Sequence, residues 1–293
     1  MMPSVSRKNG PAGRTTAIKV RYAKSAIGIF LTALCAGMAA LALLLILGYV
    51  AVHGARALNW DFLTQLPRPV GVSGGGVANG IVGSAIMITL ATVLAAPVGV
   101  LIGIYLALFG RGAIVEAIQF LSDVLSGVPS IAIGLFAYTL LVAPFKHFSA
   151  LSASFAFAVL MLPLIIRTSE EAIRTVPRTI REGALALGLS VFTSTVKIVL
   201  PVARPAIVTG LLLAIARITG ETAPLLFTAF GSPFWELNPA NPMAELSYQV
   251  FNYAITPYQT LHDQAWGGAL LLIMAVFFLN IFARIAFRSK GRP

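Results

Sequence analysis

Six long apolar runs follow one another along the chain, at residues 26–52, 77–109, 124–145, 151–166, 206–230 and 266–287, with short polar segments between them. Runs of about 18 or more apolar residues read as membrane-crossing helices, because hydrocarbon offers no water to an unsatisfied backbone group. The 151–166 run is short for a crossing. The 77–109 run is longer than one crossing needs, so it tilts, extends past the membrane or bends near Pro97. Gly127-Val128-Pro129-Ser130 is predicted to kink the third run near its start. The pattern predicts an all-α polytopic membrane protein with six transmembrane helices in a 26–287 domain.

One polar segment differs from the rest. Residues 167–205 hold Arg167, Arg174, Arg178, Arg181, Lys197 and Arg204 with Glu170, Glu171 and Glu182, between long apolar stretches. Pro177 suits a helix's first turn and Gly188 the position after its last, so the spacing predicts a short helix over 177–187. Ile180, Ala184 and Leu187 fall on one face of it, with Arg178, Arg181 and Glu182 on others. Ser190 is placed to cap a further helix that runs to Leu200 and ends at Pro201.

Composition supports the membrane reading. With 58% hydrophobic and only 11% charged residues, the chain lacks the polar surface of a soluble domain. Cys35 is the single cysteine, so an intrachain disulfide is excluded. Residues 1–25 read as a flexible basic tail beside the first span. Six cations there fit a topology signal or an anionic-lipid contact better than a nucleic-acid arm. The 26–52 run is too long for a signal peptide's apolar core, so it is expected to stay as a span.

Charge also orients the chain. With both termini cytoplasmic, 17 Lys and Arg lie inside, three (Arg56, Arg68, Lys146) lie outside, and Arg217 is within a span. The bias of basic residues toward cytoplasmic loops therefore puts the 167–205 loop and the 288–293 tail inside. Outside lie Pro67 to Gly76, a glycine-rich stretch read as a flexible turn, and residues 231–265. Met243, Leu246, Val250 and Ala254 in the latter share a helical face, as in an interfacial helix or a surface for a soluble partner.

Arg217 and Glu221 are the charges expected at membrane depth, where each costs roughly 2.5–3.5 kcal/mol to insert. At i, i+4 they are predicted to share a helix face and pair, with Thr219 and Thr222 making the path polar. A guanidinium held there offers a planar fork to an oxyanion. A structural pair within the bundle is the alternative.

Glu182-Gly183-Ala184, Gly188 and Ile198-Val199-Leu200-Pro201 resemble the EAA loop of bacterial ABC importer permeases, with Gly183 where the general pattern has alanine. RITGETAPLLFTAF, LSDVLSGVPSIAIGLF and NYAITPYQTLHDQAWGGALLL narrow the resemblance to PstA-type permeases of phosphate importers. It implies the type I (MetI-like) six-helix fold, with Glu182, Gly183, Ala184, Leu187 and Gly188 docking an ATPase and Arg217, Thr219, Glu221 and Thr222 along the substrate path. Also implied are a PstC-type second permease, two PstB-type ATP-binding subunits that hold ATP and Mg, a PstS-type phosphate-binding protein and inorganic phosphate. No cofactor or metal is expected in this chain, which would lie in the bacterial inner membrane.

Other readings are weaker. A permease for sulfate, molybdate or phosphonate would share the cytoplasmic loop. An intramembrane enzyme would need a nucleophile-base pair or a metal cluster at membrane depth, yet His53, His147 and His262 lie near span ends. A passive channel would have no use for the 177–187 helix.

Overall fold

The computed structural model describes residues 11–72 and 74–286. Among them the regular elements are all helical: α1 (Pro11–Ala57), α2 (Trp60–Thr64), α3 (Ala78–Leu108), α4 (Ala113–Gly127), α5 (Ser130–Ala137), α6 (Ala143–Phe145), α7 (Ala150–Arg174), α8 (Arg178–Ala186), α9 (Val191–Ser194), α10 (Leu200–Ile218), α11 (Leu225–Thr228), α12 (Leu246–Ala254) and α13 (Gln259–Ala286). Wider π-helical turns at Tyr138–Val142 and Thr195–Val199 join α5 to α6 and α9 to α10. Five helices are long and apolar enough to cross a membrane, and the bent pair Ala113–Gly127 and Ser130–Phe145 makes six if counted as one span.

The chain divides into two units after Val52. In the first, α1 begins at Pro11, inside the stretch expected to be a flexible tail; residues 1–10 and 287–293, which include the expected C-terminal tail, lie outside the described residues. From Ile27 onward its apolar side chains, among them Phe30, Leu44 and Leu45, are exposed almost without interruption. Water would penalise that surface by roughly 25 cal/mol per Å², so the helix belongs in hydrocarbon.

The second unit is built around α7. Its Ala153, Ala156, Phe157, Met161 and Ile165 are buried in the largest apolar cluster, together with Met87 and Ala91 of α3 and Ala214 and Ile218 of α10. Small residues make this possible. A Cβ at Gly99 would fall 2.7 Å from Ile165, one at Gly103 2.6 Å from Ser169 Cβ, and one at Gly210 2.3 Å from Thr168 Oγ1. The unit's two ends are distinct. The starts of α3 and α7 lie with α12 and the loop before it, where the Ala150 N–H donates to Asn241 O at 3.0 Å. The ends of α3 and α7 lie near Val199 and Val176, in a second apolar cluster toward α8.

Several expected boundaries move. The third run is broken rather than kinked: α4 and α5 meet at Val128-Pro129 and differ by 104° in direction, because Pro129 cannot donate to the preceding turn and drives Val128 into extended backbone. The short 151–166 run is extended to Arg174, with Ser169 and Glu170 buried in it. The helix capped by Ser190 does not stop at Pro201. Instead the π turn widens the helix just before Leu200, and Pro201 takes a first-turn position of α10, where its absent N–H costs little. The span ends at Ile218, well short of residue 230.

Gly103→Val should destabilise the folded membrane protein by about 1–3 kcal/mol or more through overpacking against Ser169. Gly183→Ala, where a Cβ meets open space, should stabilise α8 by roughly 0.5–1 kcal/mol. Thermal aggregation of detergent-purified protein checks both; equal effects would contradict the packing argument.

Candidate functional site

α8 is punctuated as the sequence predicts, one residue tighter. Pro177 is its N-cap, and Gly188, at φ +83°, follows the C-cap Leu187. The Leu189 N–H donates to Ala184 O (3.2 Å) and the Gly188 N–H to Leu185 O (3.0 Å), the Schellman arrangement that satisfies the last carbonyls. Ser190 caps α9 by accepting from the Thr193 N–H. The expected apolar face does not stay together. Ala184 is buried, whereas Leu187 is 86% exposed and Ile180 also faces outward. Glu182 and Gly183 are exposed as well. Leu187 therefore ends the helix with its side chain in the open.

Beside α8 a cavity of about 390 Å³ is lined by Arg174, Arg178 and Arg181 together with Leu106, Ile173 and Val199. Further up α7, polar pairs fasten it to α4. Arg167 bonds Asp123, and Glu170, only 3% exposed, accepts from Gln119 Nε2 (3.0 Å) and pairs with Arg174 (2.6 Å). The i, i+4 spacing of Glu170 and Arg174 is visible in the sequence, but the burial of Glu170 under an exposed Arg174 is not. Only the packing of α4 against α7 creates it.

Arg217 and Glu221 do not pair. Arg217 is exposed in the last turn of α10, Thr219 is the C-cap, and Glu221 lies in the turn beyond, its N–H donating to Ile218 O (3.0 Å). The i, i+4 geometry needs an unbroken helix, and Gly220 and Pro224 do not sustain one; the ion pairs of Arg167 with Asp123 and of Arg174 with Glu170 include neither residue. Thr219 Oγ1 donates back to Ile215 O (2.8 Å), and Thr222 Oγ1 reaches Ser247 Oγ (3.2 Å). The turn is thereby tied to α12.

That tie leads to a group the sequence did not single out. Glu245, 1% exposed, is the N-cap of α12 and accepts from the Tyr248 N–H (2.9 Å), Ser247 Oγ (2.6 Å) and Ser84 Oγ of α3 (2.9 Å). Burial pushes its carboxyl above the ordinary range, against the opposing bonds from Ser247, Tyr248 and Ser84. Met243 is buried before α12 begins, and Leu246 packs with Phe62 and Val77, so this segment is part of the core rather than a helix resting on a surface. The available signal was an acid followed two residues later by Ser247, in a stretch with no cation.

Residues 99–289 match the model of the family described as binding-protein-dependent transport system inner membrane component. The chain is 41% identical over 249 residues to the phosphate transport system permease protein PstA of Yersinia pestis, covering 85% of this chain and 84% of that one. It belongs to the PstA permease family. The PstA 1 protein of Mycobacterium tuberculosis is 38% identical over 226 residues, covering 75% and 73% of the two chains. Among solved structures, a chain of the MetNI methionine ABC transporter in an inward-facing conformation superposes with TM-score 0.61 at 17% identity, covering 74% of this chain and 96% of that one. An amino acid ABC transporter with histidines gives TM-score 0.52 at 18% identity, over 72% and 94%. The MetI-like permease fold expected from the EAA loop is therefore present in this PstA-family chain.

Glu170→Ala should cost about 1–3 kcal/mol, because Gln119 and Arg174 lose their shared acceptor. Glu170→Gln, which keeps an acceptor oxygen, should cost less. Urea or thermal unfolding in detergent checks the order, and a reversed order would contradict it.

Proposed function

We propose that this chain carries inorganic phosphate inward as one half of an ATP-driven importer, by alternating access driven through α8. What carries the reading is the 41% identity to a PstA permease over most of both chains. That relative is a phosphate transport permease, which suggests the substrate, and the exposed α8 gives the drive a point of entry. An oxyanion importer for sulfate or molybdate would share α8 but not this degree of identity to phosphate permeases.

In this reading the loop bearing α8 and both termini face the cytoplasm, as the 17-to-3 bias of basic residues favours. Glu182, Gly183, Ala184, Leu187 and Gly188 form the docking element, with Leu187 seated in a groove of an ATP-binding subunit. ATP and Mg are held by that subunit, and this chain performs no catalysis. Its partners are a homologous second permease, two ATP-binding subunits and an extracytoplasmic phosphate-binding protein, all in or at the bacterial inner membrane.

Closure of the ATP-binding subunits moves α8, and α8 moves α3, α7 and α10, whose backbones are too closely packed to slide. That motion reaches the turn after α10. Arg217, exposed and unpaired with Glu221, offers its guanidinium to phosphate as two parallel N–H donors, and Thr219, Glu221 and Thr222 line the path beside it. Without a carboxylate to displace, an arriving anion meets the full charge.

In cells lacking the gene, restoring it should restore labelled orthophosphate uptake that excess phosphate suppresses and excess sulfate does not. Suppression by sulfate instead would overturn the substrate. Glu182→Lys should reduce uptake at least about tenfold, the equivalent of 1.4 kcal/mol of lost docking, with the protein still in the membrane. Arg217→Ala should abolish uptake while the ATP-binding subunit still co-purifies; normal uptake in either variant would remove that residue's role.

A further inference from the structure

Glu245 is a buried acid, and among the described residues no cation bonds to it. Three donors from two elements serve it, Ser84 on α3 and Ser247 and Tyr248 on α12, and none is charged. The titratable and charged groups on the surrounding elements are Asp61 on α2, Arg217 and Glu221 at the end of α10, Tyr248 and Tyr253 on α12, Tyr258 between α12 and α13, His262 and Asp263 at the start of α13, Glu236 in the preceding loop and Arg68 before α3. α3 itself offers only Tyr105, at its far end. The ion pairs of Arg167 with Asp123 and of Arg174 with Glu170 do not include Glu245. An isolated buried carboxylate is costly, and the least costly relief is a proton.

The hydroxyl of Ser247 shows what that proton would change. It lies 2.6 Å from Glu245 Oε2 and 3.2 Å from the carbonyl oxygen of Glu221, and it accepts from Thr222 Oγ1 at 3.2 Å. One hydrogen cannot serve both acceptors. With Glu245 ionised, Ser247 donates to the carboxylate, and the Glu221 carbonyl is left without that bond. With Glu245 protonated at Oε2, the acid donates to Ser247 Oγ, whose own hydrogen passes to Glu221 O. The Tyr248 N–H keeps its place on Oε2 in both states. No atom is gained or lost except the one proton.

We propose that Glu245 is a proton-binding site whose occupancy latches α12 to the Glu221 turn through the Ser247 hydroxyl. The proton's route is the cavity of about 350 Å³ that Glu245 lines with Asn79, Ser232 and Gln249 at the α12 end. Asn79 Oδ1 is buried there with no bonding partner, so the cavity has an unmet acceptor to hold water or hydronium. With the orientation and phosphate transport proposed above, on which this inference rests, the proton comes from the outer side. The site latches when that side is acid and releases as its pH rises, since deprotonation returns the Ser247 hydrogen to Glu245. Release leaves the turn that follows Arg217 held to Ser247 by the Thr222 bond alone, and so freer to move.

The test uses the assembled importer in proteoliposomes, with the pH of the binding-protein side varied from mildly acid to mildly alkaline. Glu245→Gln replaces the titrating group by an amide that donates at every pH. The ratio of wild-type to E245Q phosphate uptake cancels the ionisation of phosphate itself and should rise by more than about threefold across the range. A flat or falling ratio overturns the latch. Ser247→Ala should flatten the wild-type response and Ser247→Thr should restore it; an unchanged response in S247A also overturns it. Should E245Q fail to insert, or wild type carry no phosphate, infrared titration of the complex is decisive without transport. A protonated carboxyl stretch should persist near neutral pH and shift in S247A, which lacks its acceptor. Absence of that band, or no shift, overturns the proposal, whereas its presence in a complex that moves no phosphate sinks only the assigned substrate.

Discussion

The close approach of α7 to α3 and α10 is the constraint from which the rest of the packed unit follows. Gly99 and Gly103 admit Ile165 and Ser169, and Gly210 admits Thr168, at distances a Cβ would forbid. Within a membrane such packing matters more than in water, because lipid tails are as apolar as the side chains and burial alone drives little association. Backbones that close transmit displacement rather than absorb it. The helix buried deepest in the unit is therefore also the one that runs from the α12 end to α8.

Around that block the polar groups are distributed by end. Toward α8 stand the arginines, with Glu170 buried among their partners and Leu187 presented outward. Toward α12 stand the uncharged donors that serve Glu245. Between them the outward faces are apolar: Phe277, Phe278 and Phe282 of α13 are exposed as fully as the side chains of α1. This division gives the packed unit two chemically different ends, with an apolar surface suited to hydrocarbon between them.

Much of this was legible beforehand. The span pattern, the EAA loop and the caps at Pro177, Gly188 and Ser190 could be read because each depends on a local rule: hydrophobic length, a fixed φ, a positive φ or a side-chain acceptor. The misjudged places depend on something outside the segment. Pro201 was read as a stop, but the π turn before it supplies the room its ring needs. Arg217 and Glu221 were read as partners on a continuous helix that in fact ends between them. Glu245 stands out in no sequence pattern, because nothing in its neighbourhood of sequence reveals that Ser84, 161 positions away, closes over it. Burial of a charge is a tertiary fact.

The central claim is that ATP-driven motion enters this chain at α8. A cysteine placed at Leu187, in a chain whose single native Cys35 has been replaced by serine, should cross-link to the ATP-binding subunit in membranes of cells that still take up phosphate. A cross-link there, and none from a cysteine at the also well-exposed Phe234 beyond α11, is the predicted result. Cells that transport phosphate normally while Leu187→Cys finds no ATP-binding subunit would contradict the account.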